Sequence, residues 1–358
     1  MTRKLAHIEY ITDIQPIPKA DLIAVATVLG WKVVVKKGEF KVGDKVVYVE
    51  VDSIMPALPQ YDFLKERKYR IRTIKLKGQV SQGLVLPLSS LPEGWKKFSI
   101  GQDVTDVLGI VKHDPQAEDE SSQNMSSFVK FMKRFKWYRK FFMNKKKGGF
   151  PDWIKKTDEE RIQNMPQILS DYHNTLFDVT EKLDGQSVTF FLKKVSKNIF
   201  GKQQYDFGVC SRNLRLTRPD KSSWWTVAKN YHMEDVLKNL IGDREYVVLQ
   251  GEILGTSIQG NKYGVREYQF YAFNLIYPEG NVTWTDMTIP LNQYGIQTVP
   301  ILDVDVNLFT TVDDMVEMSK GKSYINPKID REGLVIRNFE KGISFKVINP
   351  EFLLKNNE

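Results

Sequence analysis

What most limits the fold is a series of short, closely spaced segments rich in β-branched and aromatic residues: Val25–Leu29, Trp31–Val35, Lys45–Val51, Tyr69–Leu76 and Gly83–Leu88. Branching at Cβ stiffens χ1 and suits a pleated surface better than a helix, and Gly or Pro punctuates the gaps. Five strands at this density within residues 1–105 predict a small β-barrel.

An OB-fold is the leading form of such a barrel, because a partly open five-stranded barrel is a common platform for single-stranded nucleic acid. In the Tyr69–Leu76 segment the period of two puts Arg70 and Arg72 on one face and Lys75 and Lys77 on the other. The arginine face suits nucleic acid, and a solvated edge protected by lysines suits the sequence equally well.

Beyond this region the chain changes character. Residues 106–150 read as a linker: Lys112–Ser127 is polar and acidic, and Phe128–Lys147 is basic with Phe131, Phe135, Trp137, Tyr138, Phe141 and Phe142 interleaved. Those rings and cations suit bases and phosphates, or a helix packed on a neighbouring domain. Residues 151–358 have an α+β pattern, many strands with helices expected near Asp158–Leu169 and Trp224–Leu240. The chain runs twelve residues past Lys346, so no further domain is expected there.

Composition narrows the function. With 41% hydrophobic residues in 358, the chain can bury a core in two or three domains, yet no stretch reaches the ~18 apolar residues of a membrane span. The N-terminus carries no apolar secretory core. A single cysteine, Cys210, excludes an internal disulfide and fits a cytoplasmic or other intracellular reducing compartment, and four scattered histidines offer no zinc-ligand spacing. The balance of 52 Lys+Arg against 44 Asp+Glu, a net charge of +8, favours a polyanionic partner.

The chemistry centres on Glu181-Lys182-Leu183-Asp184-Gly185, which follows one apolar strand and precedes another. A lysine at a strand end, before an Asp-Gly turn, can face a cleft. To attack a phosphate its amine must be neutral. An ordinary lysine titrates near about 10.4, so neutrality at physiological pH needs a shift of roughly 3 units, about 4 kcal/mol, from burial and nearby cations, a divalent metal above all. A Lys-x-Asp-Gly tetrapeptide alone also describes many surface hairpins.

An ordered series of segments near and beyond it is more specific: Ser211-Arg212-Asn213, Leu249–Gly255 with Glu252, Phe270–Asn274, Arg331–Ile336 with Glu332, and Ser344–Ile348 with Lys346. This series, over about 160–350, resembles the covalent nucleotidyltransferase superfamily of ATP-dependent ligases and mRNA capping enzymes. The resemblance implies a ligase-type domain built on antiparallel sheets with flanking helices, in which Lys182 attacks the α-phosphate of ATP. It implies that Glu252 and Glu332 hold Mg²⁺ or Mn²⁺, that Phe273, or else Tyr271, stacks on adenine, and that Glu181 accepts from its exocyclic amine. Arg212 would bond the ribose or a substrate phosphate, and Lys346 would offset charge on the α-phosphate. Singly, each of these residues also reads as ordinary strand, core or surface. Two departures stand out: Ser344 and Ile348 flank Lys346 where the superfamily often has Lys-x-Lys, and Ser187 stands where related RNA ligases often have Asn.

In DNA ligases and capping enzymes the OB domain follows the nucleotidyltransferase domain; here the barrel precedes it. That order, with residues 38–56, Ser81–Pro87 and Thr157–Asn164, is similar to RNA ligases with an N-terminal OB domain. The likeness implies that Arg161 contacts the β- and γ-phosphates, although the residues alone equally allow an i,i+3 pair with Asp158 on a solvated helix. It implies RNA as partner, with RNA repair by a lysyl-adenylate route; action as a monomer is expected, and with no apolar span no membrane partner is. The alternatives are a DNA ligase, a capping-type guanylyltransferase, or a non-catalytic nucleic-acid binding protein on a decayed ligase fold. Gly255–Lys262 approaches a P-loop and fails, because Asn261 precedes the lysine and Tyr263 follows it; that loop is expected to shape the cleft near Glu252.

Overall fold

The computed structural model describes residues 4–92, 99–113, 148–197, 200–216 and 221–356. The expected basic and aromatic linker, apart from its first and last few residues, lies outside the described residues.

In the first unit a five-stranded antiparallel sheet runs in the order Trp31–Lys36, Ile23–Val28, Ala6–Pro16, Lys45–Val49, Leu84–Pro87. Its edges approach each other: Val34 N–H donates to Ser81 Oγ at 2.9 Å and Gln82 N–H to the Lys32 carbonyl at 2.9 Å. The sheet therefore curls toward closure as an OB barrel must. Lys45–Val49 is buried on both faces, because Val47 and Val49 join one core with Ile8, Met55 and Leu64 while Val46 and Tyr48 join another with Val28 and Trp31. Val104, Leu108 and Ile110 extend the first core, and Val111–Lys112 pairs with Ser53–Ile54.

Two elements differ from expectation. The central strand, Ala6–Pro16, is not among the five predicted segments: its alternate positions include His7 and Glu9, polar residues buried because they pair with each other and His7 also with Glu50. The Tyr69–Leu76 strand shrinks to Ile74–Leu76, hairpinned with Gln79–Ser81, so Arg70 and Arg72 share no strand face; Arg70 Nη2 binds Asp52 Oδ1 at 2.9 Å.

The second unit joins two sheets. In the larger, Gln203–Cys210, Gln186–Lys197, Tyr246–Leu254 and Gln269–Tyr277 are successive antiparallel neighbours. In the smaller the order is Glu160–Arg161, Ile343–Ile348, Gly333–Asn338, Leu176–Lys182, Ile301–Asn307. Helices Ser223–Asn230, Met233–Ile241 and Trp284–Asn292 set Val227, Leu237 and Met287 into one core with Phe190, Leu249 and Phe270. Val312–Ser319 packs Met315 against Phe177 and Phe345 of the smaller sheet.

The helix expected near Trp224–Leu240 is thus two helices, broken where His232 takes the left-handed φ of 46°. The helix expected over Asp158–Leu169 does not form. Glu160–Arg161 instead pairs in parallel with Phe345–Lys346, a 3₁₀ turn spans Ile162–Asn164, and a short helix, Ile168–Asp171, follows Pro166. Strand pairing overrides the local preference there, and the proline removes Met165 from helical backbone.

The two units dock through this same segment. Gly30 N–H donates to the Gln163 carbonyl at 2.9 Å, and a Cβ on Gly30 would lie 2.9 Å from the Gln163 Cα, so a side chain at this position would push the units apart. Trp31 Nε1 donates to Asn164 Oδ1 at 2.5 Å, and Asn164 Nδ2 donates to Glu50 Oε1 at 2.6 Å.

Candidate active site

Lys182 ends a strand of the smaller sheet, and soon after it Gln186 opens a strand of the larger one. The turn between them puts Lys182 at the seam of the two sheets. Gly185 is required by close approach: a Cβ there would lie 2.5 Å from the Ile253 carbonyl oxygen and 2.8 Å from Glu252 Cγ. Lys182 pairs with Gly333 in the ladder, which sets Glu332 beside it, and Glu252 lies opposite Ser187. Lys182 Nζ donates to both Glu332 oxygens, at 2.6 and 2.7 Å.

This cluster is acidic. Burial disfavours the Lys182 ammonium, but Glu332, Glu252 and Asp184 outweigh it and hold its pKa above the ordinary lysine value. The lowered lysine pKa that attack requires is therefore not produced by the protein's own groups. Burial pushes the Glu252 carboxyl up to about 8, with Lys182 opposing and Glu332 and Asp184 reinforcing the rise. Such carboxylates call for a cation. Among the described residues no three His, Cys, Asp or Glu groups form a metal cage. Two hard carboxylates with room for phosphate and water oxygens nevertheless suit Mg²⁺ or Mn²⁺, which seldom takes an all-protein shell. The loop after Gly255 braces the turn: Lys262 Nζ binds Asp184 Oδ2 at 2.5 Å, Tyr263 OH accepts from Asp184 N–H at 2.8 Å, and Gln259 lines the cleft.

A cleft of about 410 Å³ opens over this seam, and all eight residues singled out in the sequence line it: Arg161, Glu181, Lys182, Arg212, Glu252, Phe273, Glu332 and Lys346. Glu181 is buried, with one oxygen accepting from Tyr324 N–H at 2.8 Å while Oε1 has no protein donor; burial raises its pKa. Phe273 lies under the Arg337 guanidinium, whose Nη1 donates to the Phe273 carbonyl at 2.6 Å. Tyr271, the other aromatic considered, is 5% exposed and packs in the core of the larger sheet. Arg161 Nη2 binds Asp52 Oδ2 of the barrel at 3.1 Å, stacks over Trp31 and keeps Nε and Nη1 without acceptors; it is no partner of Asp158.

Asp158 itself is a centre that the sequence shows only as a candidate helical pair. Its carboxylate takes Lys112 Nζ at 2.9 Å, Arg212 Nη2 at 3.0 Å and Lys346 Nζ at 3.4 Å. Burial alone would raise its pKa, but the three cations hold it far below the usual carboxylate range. Nothing local in the sequence brings these four residues together. Ser344, one of the two residues that flank Lys346 where the superfamily often has a second lysine, donates to Glu159.

A strand-end lysine facing two carboxylates at the seam of two antiparallel sheets, in a cleft with an aromatic ring and several cations, defines a covalent nucleotidyltransferase. Comparison with known proteins is more specific. Residues 5–88 match the model of an OB-fold domain, and residues 176–348 match the RNA ligase family. Three solved structures of Naegleria gruberi RNA ligase superpose over nearly the whole chain. A mutant with ATP and Mn has 33% identity and a TM-score of 0.81, covering 99% of this chain and 100% of that one. The enzyme with PPi has 34% identity and a TM-score of 0.79, covering 98% of both chains. A mutant with AMP and Mn has 34% identity and a TM-score of 0.80, again covering 98% of both. No curated protein sequence matches. The chain belongs to the RNA ligase family, with an OB-fold barrel ahead of its ligase domain.

Proposed function

We propose that the chain is an ATP-dependent RNA ligase that joins 3′-OH and 5′-phosphate ends, with Lys182 as nucleophile. The observation that carries this is Lys182 held by Glu332, with Glu252 beside it, in a cleft that Arg161, Glu181, Arg212, Phe273 and Lys346 also line. Glu252 and Glu332 would hold Mg²⁺ or Mn²⁺, which when bound supplies the positive charge that lets the lysine go neutral and offsets charge on the α-phosphate. Phe273 supplies a stacking face for adenine. The free Oε1 of Glu181 suits the exocyclic amine of adenine and would repel the carbonyl that guanine carries there, which favours ATP over GTP.

The amine of Lys182 attacks the α-phosphorus, forming a P–N bond as the bond to pyrophosphate breaks. Arg161 at the barrel side of the cleft orients that leaving group. A 5′-phosphate oxygen of RNA then takes the adenylyl group and returns the lysine. Finally a 3′-hydroxyl attacks the activated 5′-phosphorus and AMP departs. Lys346 and Arg212 bear on the phosphates in each step.

One copy of the chain supplies all eight of the residues named for the site, so a monomer suffices for the reaction. Among the described residues no helix is long and apolar enough to cross a membrane. A single cysteine, Cys210, which is buried and free, fits a reducing intracellular compartment. We divide the chain into a barrel over 1–105, continued by the strand at Val111–Lys112, a linker to about 150 and a nucleotidyltransferase domain over 151–358.

The test is incubation with α-³²P-ATP and Mg²⁺ or Mn²⁺, following label on the protein in a denaturing gel. Wild type should be labelled and Lys182→Ala should not. A folded wild type that takes no label with either metal removes the catalytic reading and leaves a nucleic-acid binding scaffold.

A further inference from the structure

Three cations from three separate elements meet on one carboxylate. Lys112 comes from the barrel strand Val111–Lys112, Arg212 from the turn after Gln203–Cys210, and Lys346 from Ile343–Ile348. All contact Asp158, within 2.9 to 3.4 Å. The four residues line the same cleft as Lys182. Lys346 is the most enclosed of the cations, its side chain 12% exposed. Brought together without an anion, such charges would repel one another. A carboxylate at their centre is an anion of the size and charge of a phosphate edge, though with two oxygens where phosphate offers three or more.

We propose that Asp158 is an internal stand-in for a substrate phosphate: it keeps Lys112, Arg212 and Lys346 gathered and charge-balanced, and gives them up when a phosphate group enters the cleft. This rests on the ligase reading for the identity of the phosphate, which is either that of ATP or the 5′-phosphate of RNA. Asp158 precedes the Glu160–Arg161 strand with one residue between, so its carboxylate can turn away without unpairing the sheet. In this arrangement Lys112 serves as the second cation beside Lys346 that neither Ser344 nor Ile348 supplies. Phosphate affinity is then a competition, and removing the competitor strengthens binding. A merely structural brace predicts the opposite, since losing it would let the cations scatter.

The experiment is titration calorimetry of the intact protein with inorganic pyrophosphate in EDTA, for wild type, Asp158→Asn, Lys112→Met and the double variant. Asp158→Asn should bind pyrophosphate roughly tenfold more tightly and with a steeper salt dependence, and Lys112→Met should cancel most of that gain. Equal or weaker binding by Asp158→Asn overturns the proposal. If Asp158→Asn does not fold, Lys112→Met alone decides: weaker pyrophosphate binding supports the shared phosphate site and unchanged binding overturns it. The titration needs no adenylylation, so its failure is distinct from failure of the ligase reading, which label on the wild-type protein tests separately. Two kinetic arms identify the source: a lower KM for ATP in lysine labelling assigns the displacing phosphate to ATP. A lower KM for a 5′-phosphorylated nick, measured on purified lysyl-adenylate protein, assigns it to RNA.

Discussion

The two ends of the cleft are electrostatic mirror images. At the seam of the sheets one ammonium, Lys182, is surrounded by the carboxylates of Glu332, Glu252 and Asp184; toward the barrel one carboxylate, Asp158, is surrounded by Lys346, Arg212 and Lys112. The first is short of positive charge: its carboxylates hold the lysine pKa up against burial, and burial, reinforced by Glu332 and Asp184, raises that of Glu252; the second is short of negative charge, and its cations lower the pKa of Asp158 against burial. A nucleotide triphosphate with its divalent cation carries both missing charges in one ligand. The difference also has a structural origin: the acidic end is built wholly within the ligase domain, whereas the cationic end borrows Lys112 from the barrel.

The sharpest way to break this comparison is at the acidic end. Glu252→Gln keeps the shape of a side chain that burial already pushes toward neutrality, yet it removes half of the carboxylate pair. Lysine adenylylation is expected to fall by roughly 10³-fold, read as the rate of ³²P label appearing on the protein. Labelling within a few-fold of wild type would make Glu252 a structural residue. Gly185→Ala should come next, because its Cβ would displace Glu252 or the Ile253 carbonyl. A displacement near 1 Å costs about 10²-fold in rate, and circular dichroism should show an intact fold while label accumulates slowly.

How well each end can be read from sequence follows the same division. The acidic end is legible because Lys182, Glu252 and Glu332 each sit in or beside a strand with recognisable neighbours, and sheet pairing delivers them from fixed registers. The cationic end is not. Asp158 reads locally as the start of a helix, and only the parallel pairing of Arg161 with Lys346, together with the pairing of Lys112 with Ser53, brings it among its cations. Both registers join residues far apart in the chain, and neither has a short-range signature. The central barrel strand escapes sequence reading for a related reason: His7 and Glu9 look solvated until Glu50 supplies the third member of a buried group.

That buried group gives the barrel side of the comparison a pH dependence. Burial alone would lower the His7 pKa, but Glu50 and Glu9 overcome it and raise it from 6.5 to about 9. A raised folded-state pKa contributes stability that is fully present below about 6.5 and lost as pH rises through about 9. The change approaches about 3 kcal/mol, and urea midpoints measured from pH 6 to 10 should fall accordingly. His7→Gln should flatten the profile; an unchanged profile in that variant would move the titration to another group.

The smallest expected effect lies at the contact that brings Lys112 to its place. Asn164 accepts from Trp31 Nε1 and donates to Glu50, so Asn164→Ala leaves a fully buried indole N–H without its acceptor and costs about 1–3 kcal/mol. Because the acidic end needs nothing from the barrel, Lys182, Glu252 and Glu332 should keep their arrangement, and the maximal rate of labelling should change little. The KM for ATP should rise a few-fold, since Lys112 and Asp52 of the barrel are then held less firmly against Asp158 and Arg161. If instead the maximal rate collapses while KM is steady, the barrel acts on the lysine itself and the two ends of the cleft are not separable.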